Sequence, residues 1–433
     1  MNAPRIAVLG AGPAGCAVAL GLQHLGYRVW VISEWRRFAA VEGVSARVLE
    51  GLRQVGLHQA LASAAPPTPR RVRWSGVDQL LNDERLLDRP LFDAALRRDL
   101  ADAGVELLQG RIRQLGQQGE QQRIVLEDGR SLLADFLVEA RGRQAPLGEG
   151  RLRGPETLSL LSSWQAEPGR AGSAVESLAD GWSWMAALAD GRCYWQITLD
   201  AAAAELPPRD ELPAYCAARR QASALVQALF GDSANAAAPV HARSSTAILP
   251  RQVVGPGWIR VGDAAMAVDP LSGNGVFQSL SSALQAPAVI NTLLQHPERT
   301  QLACRFHQQR IEHLFMRFAR TGRDFYRAEP RWADAAFWRA RRGWPDAQPL
   351  HVDADIARLQ VASMPVLNDG LIDEAEVVLT ADQPLGIWHI DGVALAPIVR
   401  SLQAGRLEAA LAALAPASRR TVQGWLLQQG YRP

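Results

Sequence analysis

Three glycines near the start of the chain, Gly10, Gly12 and Gly15, have the spacing of a turn that holds phosphate groups. They lie between an apolar segment, Arg5–Leu9, that predicts a strand and an Ala- and Leu-rich segment, residues 14–25, that predicts a helix. The first glycine permits a tight turn, the second lets the backbone approach a pyrophosphate, and the third allows the helix to pack closely on the strand. The pattern predicts a dinucleotide site at the helix N-terminus, with a purely structural glycine turn as the alternative.

A second strand is predicted at residues 28–32, and folds of this kind usually place an acid after it to bind the ribose. The spacing puts Ser33 at that position and Glu34 one residue later. Two interpretations stay open: Glu34 reaches the ribose from a shifted loop, or Ser33 makes a weaker hydroxyl contact. Glu34 is also compatible with an ordinary solvated carboxylate.

A second glycine-rich segment, residues 258–275, has the sequence Trp-Ile-Arg-Val-Gly-Asp-Ala-Ala-Met-Ala-Val-Asp-Pro-Leu-Ser-Gly-Asn-Gly. It resembles, with the same spacing, the G-D-A-A…P-x-x-G-x-G segment of flavin-dependent aromatic hydroxylases. The resemblance implies that Asp263 binds the ribityl chain of FAD and that the following loop begins a helix facing the flavin N1/O2 edge. Reduced flavin is anionic there, and a helix N-terminus stabilises such a charge. The implied loop residues are Pro270, Gly273, Asn274 and Gly275.

Two arginines extend this resemblance. Residues 45–57 resemble the hydroxylase segment that places an arginine, here Arg47, on the FAD pyrophosphate. Arg89 matches another position at which these proteins hold the cofactor, and each arginine is equally compatible with a surface residue. Residues 134–143 resemble the strand and turn before the substrate region, but Arg141-Gly142 replaces the common Asp-Gly. That departure leaves the docking of NADH or NADPH open.

Composition removes several other classes of protein. All 46 basic residues are arginine, so no Walker lysine or Schiff-base lysine exists. The net charge of +2 gives no reason to expect nucleic acid, and the four cysteines have no metal-ligand spacing, so we expect no metal. No apolar run is long enough to cross a bilayer, and we expect a cytoplasmic protein without membrane contact.

The related groups are monooxygenases, halogenases and prenyl-reductase-like proteins. Trp182 and Trp184 form a W-x-W pattern that resembles tryptophan halogenases, but those enzymes need a lysine that this chain lacks. We therefore expect non-covalently bound FAD, reduced by NADH or NADPH, to hydroxylate an aromatic ring with O2 through the flavin C4a-hydroperoxide. No base for the substrate is evident. Asp269 is a weak candidate and is equally compatible with a helix cap.

Four residues are candidates for the substrate pocket. Trp182 and Trp184 are compatible with a substrate wall or, more often, with a packed strand. His241 and Arg243 lie on a predicted strand before the flavin segment and are compatible with the pocket or with a structural role.

A finer resemblance is to bacterial flavoprotein monooxygenases of cysteine tryptophylquinone biogenesis, which serve quinohemoprotein amine dehydrogenase. It is carried by residues 269–275, residues 326–332, Phe337-Trp338 and the extra C-terminal region. It implies dihydroxylation of a peptidyl tryptophan in a small quinoprotein subunit as protein substrate. The Arg- and aromatic-rich residues 317–342 predict a docking surface or a packed amphipathic helix. A hydroxylase of small aromatic molecules and a non-catalytic FAD-bound assembly partner are the alternatives.

The fold that must position these residues is α/β. We expect a Rossmann-like FAD-binding domain of the aromatic-hydroxylase type, formed by residues 1–150 and 250–335 and sharing strands near 70–85 with the substrate sheet. Residues 151–249 predict an inserted β-sheet substrate domain, with a hairpin turn at Asp190-Gly191. Residues 340–433 predict a small, mainly helical C-terminal domain whose role as docking module or lid stays open.

Overall fold

The protein is described by a computed structural model that covers residues 4–36, 38–146, 150–273 and 275–432. The strands of the N-terminal half are β1 (Arg5–Leu9), β2 (Arg28–Ser33), β3 (Val41–Val44), β4 (Pro67–Trp74), β5 (Val77–Asp88), β6 (Glu106–Gln109), β7 (Ile112–Gln118), β8 (Gln121–Leu126), β9 (Ser131–Ala134), β10 (Phe136–Glu139), β11 (Arg151–Arg153), β12 (Thr157–Gln165), β13 (Gly172–Leu178), β14 (Gly181–Ala187) and β15 (Arg192–Asp200). Those that follow are β16 (Val240–Ser244), β17 (Ile248–Pro250), β18 (Val254–Gly255), β19 (Trp258–Arg260), β20 (Gln360–Asn368), β21 (Leu371–Leu379), β22 (His389–Ile390) and β23 (Val393–Ala394).

The helices are α1 (Pro13–His24), α2 (Ala46–Gln54), α3 (His58–Ala62), α4 (Arg89–Asp102), α5 (Leu212–Gln221), α6 (Ala224–Phe230), α7 (Gly275–Leu284), α8 (Ala286–Gln295), α9 (Thr300–Arg327), α10 (Ala336–Arg342), α11 (Leu395–Gln403), α12 (Leu407–Ala412) and α13 (Pro416–Gln428). Within the ranges that the structure covers, no helix is long and apolar enough to span a membrane.

A six-stranded sheet in the order β18-β19-β10-β1-β2-β6 positions the nucleotide motif. Its strands are parallel except for the β18–β19 pair. The middle strand β1 is fully buried from Ile6 to Leu9, as expected for a parallel strand covered on both faces. Because β1 is central, the turn that follows it lies at the carboxyl edge of the sheet, where ligands bind in folds of this type.

An eight-stranded sheet in the order β16-β12-β15-β14-β13-β4-β5-β3 forms the second layer. Strands β3, β4 and β5 come from the N-terminal part of the chain. Helices α5 and α6 cover one face, because Cys216 and Val226 pack in one core with Leu160, Trp195 and Ile197. The opposite face carries the side chains that alternate with that core.

The chain divides into two compact units. The first contains residues 1–287 and 314–347 with both large sheets, and the second contains residues 288–313 and 348–433. The second unit is mainly helical, and it also contains the long β20–β21 hairpin that the sequence reasoning missed. Its core joins Leu395 and Val399 of α11 to Trp425 and Leu426 of α13.

Candidate functional site

The glycine turn after β1 has a shape that fits a phosphate group. Gly10 has a φ of +113°, and a Cβ there would lie 2.5 Å from the carbonyl oxygen of Ala140. A Cβ on Gly15 would lie 1.9 Å from the carbonyl oxygen of Gly10, so the packing at this position leaves no room for a side chain. A Cβ on Gly12 would meet no described atom within 4 Å. The N-terminus of α1 therefore faces open space at Gly12, as a bound pyrophosphate requires.

The structure places Ser33 as the last residue of β2. Its hydroxyl donates to the carbonyl of Glu34 at 3.2 Å, and the Glu34 carboxylate lies 3.7 Å from the Nε of Arg111. Glu34 is exposed at the sheet edge. The geometry is compatible with either residue as a ribose contact, and both assignments stay predictions.

The two arginines of the resemblance lie in different environments. Arg47 is exposed in the first turn of α2, so both of its interpretations stay open. Arg89, the first residue of α4, is only 7% exposed, which rules out its interpretation as a surface residue. Its guanidinium lies 2.8 Å from Glu42 Oε1 and 2.8 Å from Asp93 Oδ1. Arg89 thus holds two carboxylates, those of Glu42 and Asp93.

Glu42 is the centre of a charge cluster that the sequence reasoning missed. Burial raises the pKa of Glu42, but Arg89, Arg36 and Arg243 outweigh it and hold this pKa below its usual range. The Arg243 side chain is exposed, yet burial by the surrounding protein lowers its pKa, and the neighbouring Arg36 and Arg143 act in the same direction. These residues come from different strands and loops, so no motif in the sequence predicts that they lie together.

Asp263 lies in a short 3₁₀ turn directly after β19. Its Oδ1 accepts a hydrogen bond from Gln278 Nε2 at 2.6 Å, and its Oδ2 lies 3.5 Å from Arg143 Nε. Burial raises the pKa of Asp263, while Arg143 lowers it. About a third of the side chain, 31%, is still accessible. This recessed carboxylate is suited to accept hydroxyl donors of a ligand such as a ribityl chain.

The loop that the resemblance assigns to the flavin contains a short turn before α7. Residues Pro270–Ser272 make a 3₁₀ turn, Gly273 has a φ of +65°, and Gly275 is the first residue of α7. Asn274 lies outside the described residues. Asp269 Oδ1 accepts a hydrogen bond from the backbone N–H of Leu271 at 2.9 Å, so the capping interpretation of Asp269 is correct.

Arg141 cannot replace the missing aspartate of the hydroxylase pattern. Its Nε donates to Glu139 Oε1 at 3.0 Å and to Oε2 at 3.2 Å, and its backbone N–H bonds the same carboxylate. Arg143, two residues later, donates instead to the carbonyls of Thr246 and Val268 at 2.6 and 2.8 Å. Arg143 therefore joins the segment after β10 to the flavin loop, a role that the sequence reasoning did not foresee.

The four pocket candidates lie on one face of the eight-stranded sheet, opposite α5 and α6. Across the strands one row is His241, Leu161, Gln196 and Trp184, and the next is Arg243, Ser159, Thr198 and Trp182. Residues paired across strands, and residues two apart along a strand, share a face. His241 stacks on Phe38 at 5.2 Å between ring centroids.

The two tryptophans differ in exposure. Trp182 is only 3% exposed and packs with Tyr326, Phe337 and Trp338, so it is a packing residue. Trp184 is half-buried and reaches the neighbouring apolar cluster around Tyr194 as well. Of the two, Trp184 has the accessible surface that a substrate contact needs. Its contact with a substrate stays a prediction.

Comparison with known proteins gives family matches along most of the chain. The family described as tryptophan halogenase matches residues 86–364, and the family described as lycopene cyclase protein matches residues 5–159. Tryptophan 2-halogenase of Chondromyces crocatus is 23% identical over 371 residues, which are 79% of this chain and 71% of that protein.

Two solved structures share the fold. One, peptidyl tryptophan dihydroxylase QhpG, described as essential for tryptophylquinone cofactor biogenesis, is 65% identical with a TM-score of 0.92 over 99% of this chain and 100% of its own. The flavin-dependent halogenase CmlS is 14% identical with a TM-score of 0.78 over 99% of this chain and 94% of its own. These likenesses confirm the predicted fold class and the predicted relationship to FAD-dependent monooxygenases and halogenases.

Proposed function

We propose that this chain, which belongs to the tryptophan halogenase family, is an FAD-dependent monooxygenase. Its proposed reaction is the dihydroxylation of one tryptophan side chain of a protein substrate. The observation that carries this proposal is the likeness, along nearly the whole chain, to a peptidyl tryptophan dihydroxylase. The absence of lysine supports hydroxylation over halogenation, since the sequence offers no ammonium group to relay a halogenating species.

The residues present fit FAD. The open space at Gly12 and the N-terminus of α1 suit its pyrophosphate, with Arg47 as a further contact. The recessed carboxylate of Asp263 suits its ribityl hydroxyls, and the start of α7 at Gly275 suits the electron-rich edge of the ring. When bound, FAD supplies the activated oxygen atom, which comes from O2 after reduction by NADH or NADPH.

The protein itself must hold the substrate ring and exclude water. The sheet face of the four pocket candidates is the wall that we propose for the substrate ring. Half-buried Trp184 and Leu271 of the flavin loop pack on the same aromatic cluster, and Gln196 and Thr198 lie buried on the same face. Side chains on this face hold one another by hydrogen bonds: Ser159 Oγ lies 3.2 Å from Thr198 Oγ1, and Arg243 donates to Gln196 Oε1 at 2.8 Å. A wall fixed in this way orients a ring without reorganisation during the reaction.

The protein substrate that we propose is a small quinoprotein subunit in which the modified tryptophan becomes part of a tryptophylquinone. The name of the peptidyl tryptophan dihydroxylase supports this substrate class. NADH or NADPH as reductant and a location in the cytoplasm remain predictions from the sequence.

Reductant consumption separates this function from its two alternatives. The FAD-loaded protein is mixed with NADH or NADPH in air, and the rate of NADH or NADPH oxidation is measured. Three additions are compared: the cross-linked quinoprotein subunit, the same subunit carrying phenylalanine at the target position, and free indoles and phenols. Stimulation by the tryptophan-containing subunit alone supports the proposal. Stimulation by free aromatics alone identifies a small-molecule hydroxylase. A flavin that no reductant reduces, with or without substrate, identifies an assembly partner.

A further inference from the structure

Asp269 and Tyr326 form a buried pair beside the flavin loop. The Tyr326 hydroxyl lies 3.1 Å from Asp269 Oδ1 and 3.0 Å from Oδ2, so its single hydrogen is shared by both oxygens. Oδ1 also accepts the backbone N–H of Leu271. Among the described residues, the phenol is the one hydrogen-bond donor that the structure gives to Oδ2, which therefore keeps an acceptor position.

Tyr326 is held in place by its packing. It is 2% exposed near the end of α9, and its ring meets Phe337 and Trp338 edge-on at 5.7 and 5.8 Å between centroids. Trp182 of the sheet wall belongs to the same aromatic cluster. The phenol therefore has a fixed position between the sheet wall and the carboxylate of Asp269.

The charges around the pair keep the phenol as donor and the carboxylate as acceptor. Burial raises the pKa of Tyr326 well above its usual value, and Asp269 raises it further, so the phenol keeps its proton. Burial also raises the pKa of Asp269, whereas the Leu271 N–H, Arg341, the Tyr326 hydroxyl and Arg143 lower it. Because burial has the largest effect, the pKa of Asp269 lies above its usual value and its carboxylate is more basic than an exposed one.

We propose that Asp269 accepts the proton which the indole ring loses when oxygen is added, and that Tyr326 is the positioning residue that holds this carboxylate. The step rests on the proposed function, which supplies the oxygen atom from O2 and the electrons from NADH or NADPH. At the ring carbon that has gained oxygen, the C–H bond breaks and its electron pair returns to the ring. The proton forms a new O–H bond at Asp269 Oδ2.

The surroundings of the pair also give the proton a way onward. Asp269 and Tyr326 line a small cavity together with Arg323, Arg341 and Trp344. A single water molecule in this cavity would take the proton from the carboxyl group before the second oxygen is added. A carboxylate that only capped the turn before α7 would need neither the phenol nor the cavity.

Two substitutions test the pair. Asp269→Asn keeps an acceptor for the Leu271 N–H but removes the basic oxygen, and we expect kcat to fall by about 10²- to 10⁴-fold at every pH with little change in FAD affinity. Tyr326→Phe keeps the aromatic packing and removes the hydrogen bond that stabilises the charged carboxylate. The pKa of Asp269 then rises, so the acidic limb of the kcat profile moves to higher pH, and activity returns as the pH is raised.

Infrared spectroscopy of the FAD-loaded protein without substrate gives a second measurement that does not depend on turnover. The C=O band of protonated Asp269, identified by its loss in Asp269→Asn, should appear at higher pH in Tyr326→Phe than in the wild type. Tyr215→Phe, which removes a phenol next to Arg219 on the far side of the eight-stranded sheet, is the control and should change neither profile.

An Asp269→Asn variant with the wild-type rate of hydroxylation would overturn the role of Asp269. A Tyr326→Phe variant whose infrared midpoint is unchanged, or whose activity stays low at all pH values, would overturn the positioning role of Tyr326. If the wild type hydroxylates no protein tryptophan, the proposed function fails and with it the proton-acceptor role, whereas the infrared midpoint still tests the positioning of Asp269.

Discussion

Gly12 and Gly15 belong to the same motif, yet their surroundings differ. A side chain at Gly12 points into open space, whereas one at Gly15 collides with the backbone of Gly10. The sequence motif does not show which of the two glycines a ligand requires and which the fold requires. The structure shows this difference.

This difference predicts separate effects of two substitutions. Gly12→Val should weaken FAD binding by at least about tenfold, because it fills the proposed pyrophosphate space, and should change the stability of the apoprotein by less than about 1 kcal/mol. Gly15→Ala should lower the stability by roughly 1–3 kcal/mol through overpacking. Flavin fluorescence titration and thermal unfolding of the apoprotein measure the two quantities. A Gly12→Val variant that binds FAD normally would contradict the placement of the pyrophosphate.

The motif glycines and Asp263 could be selected as candidate cofactor contacts from the sequence alone. Each belongs to a short motif in which the cofactor requires that residue type. The same reasoning could not find Glu42 or Arg143, whose partners come from distant strands and loops. Asp269 was identified as a candidate from its place beside the loop. Its partner Tyr326 lies on α9, 57 positions along the chain, and no local pattern joins the two.

At the scale of elements, Glu329 joins the end of α9 to the eight-stranded sheet. Its buried carboxylate accepts hydrogen bonds from the Ser75 N–H at 2.7 Å, the Ser177 hydroxyl at 2.6 Å and the Arg331 guanidinium at 2.7 Å. Burial raises the pKa of Glu329, but the hydrogen bonds from Arg331, Ser177 and Ser75 outweigh it and bring this pKa to about 2.

A carboxylate whose pKa is lowered in the folded protein stabilises the fold at pH values above the ordinary pKa of glutamate. This stabilisation is lost as the pH falls towards the pKa in the folded protein. The Glu329 contribution is therefore complete near neutral pH and disappears as the pH falls from the ordinary glutamate pKa of 4.5 to about 2. Glu329→Gln should lower the unfolding free energy at pH 7 by about 3 kcal/mol and flatten its decline in acid. Chemical denaturation at several pH values measures this. Glu376→Gln, in an exposed pair with Arg400, is the control, and an equal effect of both substitutions would contradict the account.

Helix α10 is fixed to the sheet by Arg341. The guanidinium donates to Asp200 Oδ2 and to Thr157 Oγ1, each at 2.8 Å, and it stacks on Phe337 at 4.0 Å. Arg341→Ala leaves the Asp200 carboxylate without this partner and should lower the unfolding free energy by about 3–5 kcal/mol. Arg339→Ala, on the exposed side of α10, should cost less than about 1 kcal/mol. Equal melting temperatures of the two variants would contradict this anchoring.

Patterns of apolar residues predicted most of these elements closely. The strand Arg5–Leu9 was predicted with its observed bounds, because an apolar run before a glycine turn has few other solutions. The apolar pattern of residues 276–294 predicts one continuous helix, which is wrong, since α7 ends at Leu284 and α8 begins at Ala286. The pattern of residues 46–61 also predicts one helix, which is wrong because Gly56, with a φ of +79°, separates α2 from α3.

At the scale of the whole molecule, the second compact unit is not a contiguous C-terminal piece. It includes residues 288–313, and within it the N–H of Ile372 donates to Thr292 Oγ1 at 2.7 Å while Asn291 Nδ2 donates to the carbonyl of Gly370 at 3.0 Å. No pattern in the sequence indicates this division, because α9 continues from one unit into the other without a break.

Truncation tests this organisation. A chain that ends at residue 347 loses the partners of Thr292 and Asn291 and the core around Leu395, so we expect it to aggregate or to unfold at lower temperature than the full chain. Coexpression of residues 348–433 as a separate fragment should restore the solubility of the truncated chain, because the fragment supplies the missing partners. A truncated chain as soluble and as stable as the full chain would show that residues 288–313 need no such partners.

The central claim is that this protein adds two oxygen atoms from O2 to one tryptophan of a protein substrate. The most direct measurement is the mass of a cross-linked quinoprotein subunit after incubation with the FAD-loaded protein, NADH and ¹⁸O₂, followed by peptide mapping. Two labelled oxygen atoms on a single tryptophan are the predicted result. An unchanged subunit mass while NADH is consumed would contradict the claim and direct attention to small aromatic substrates.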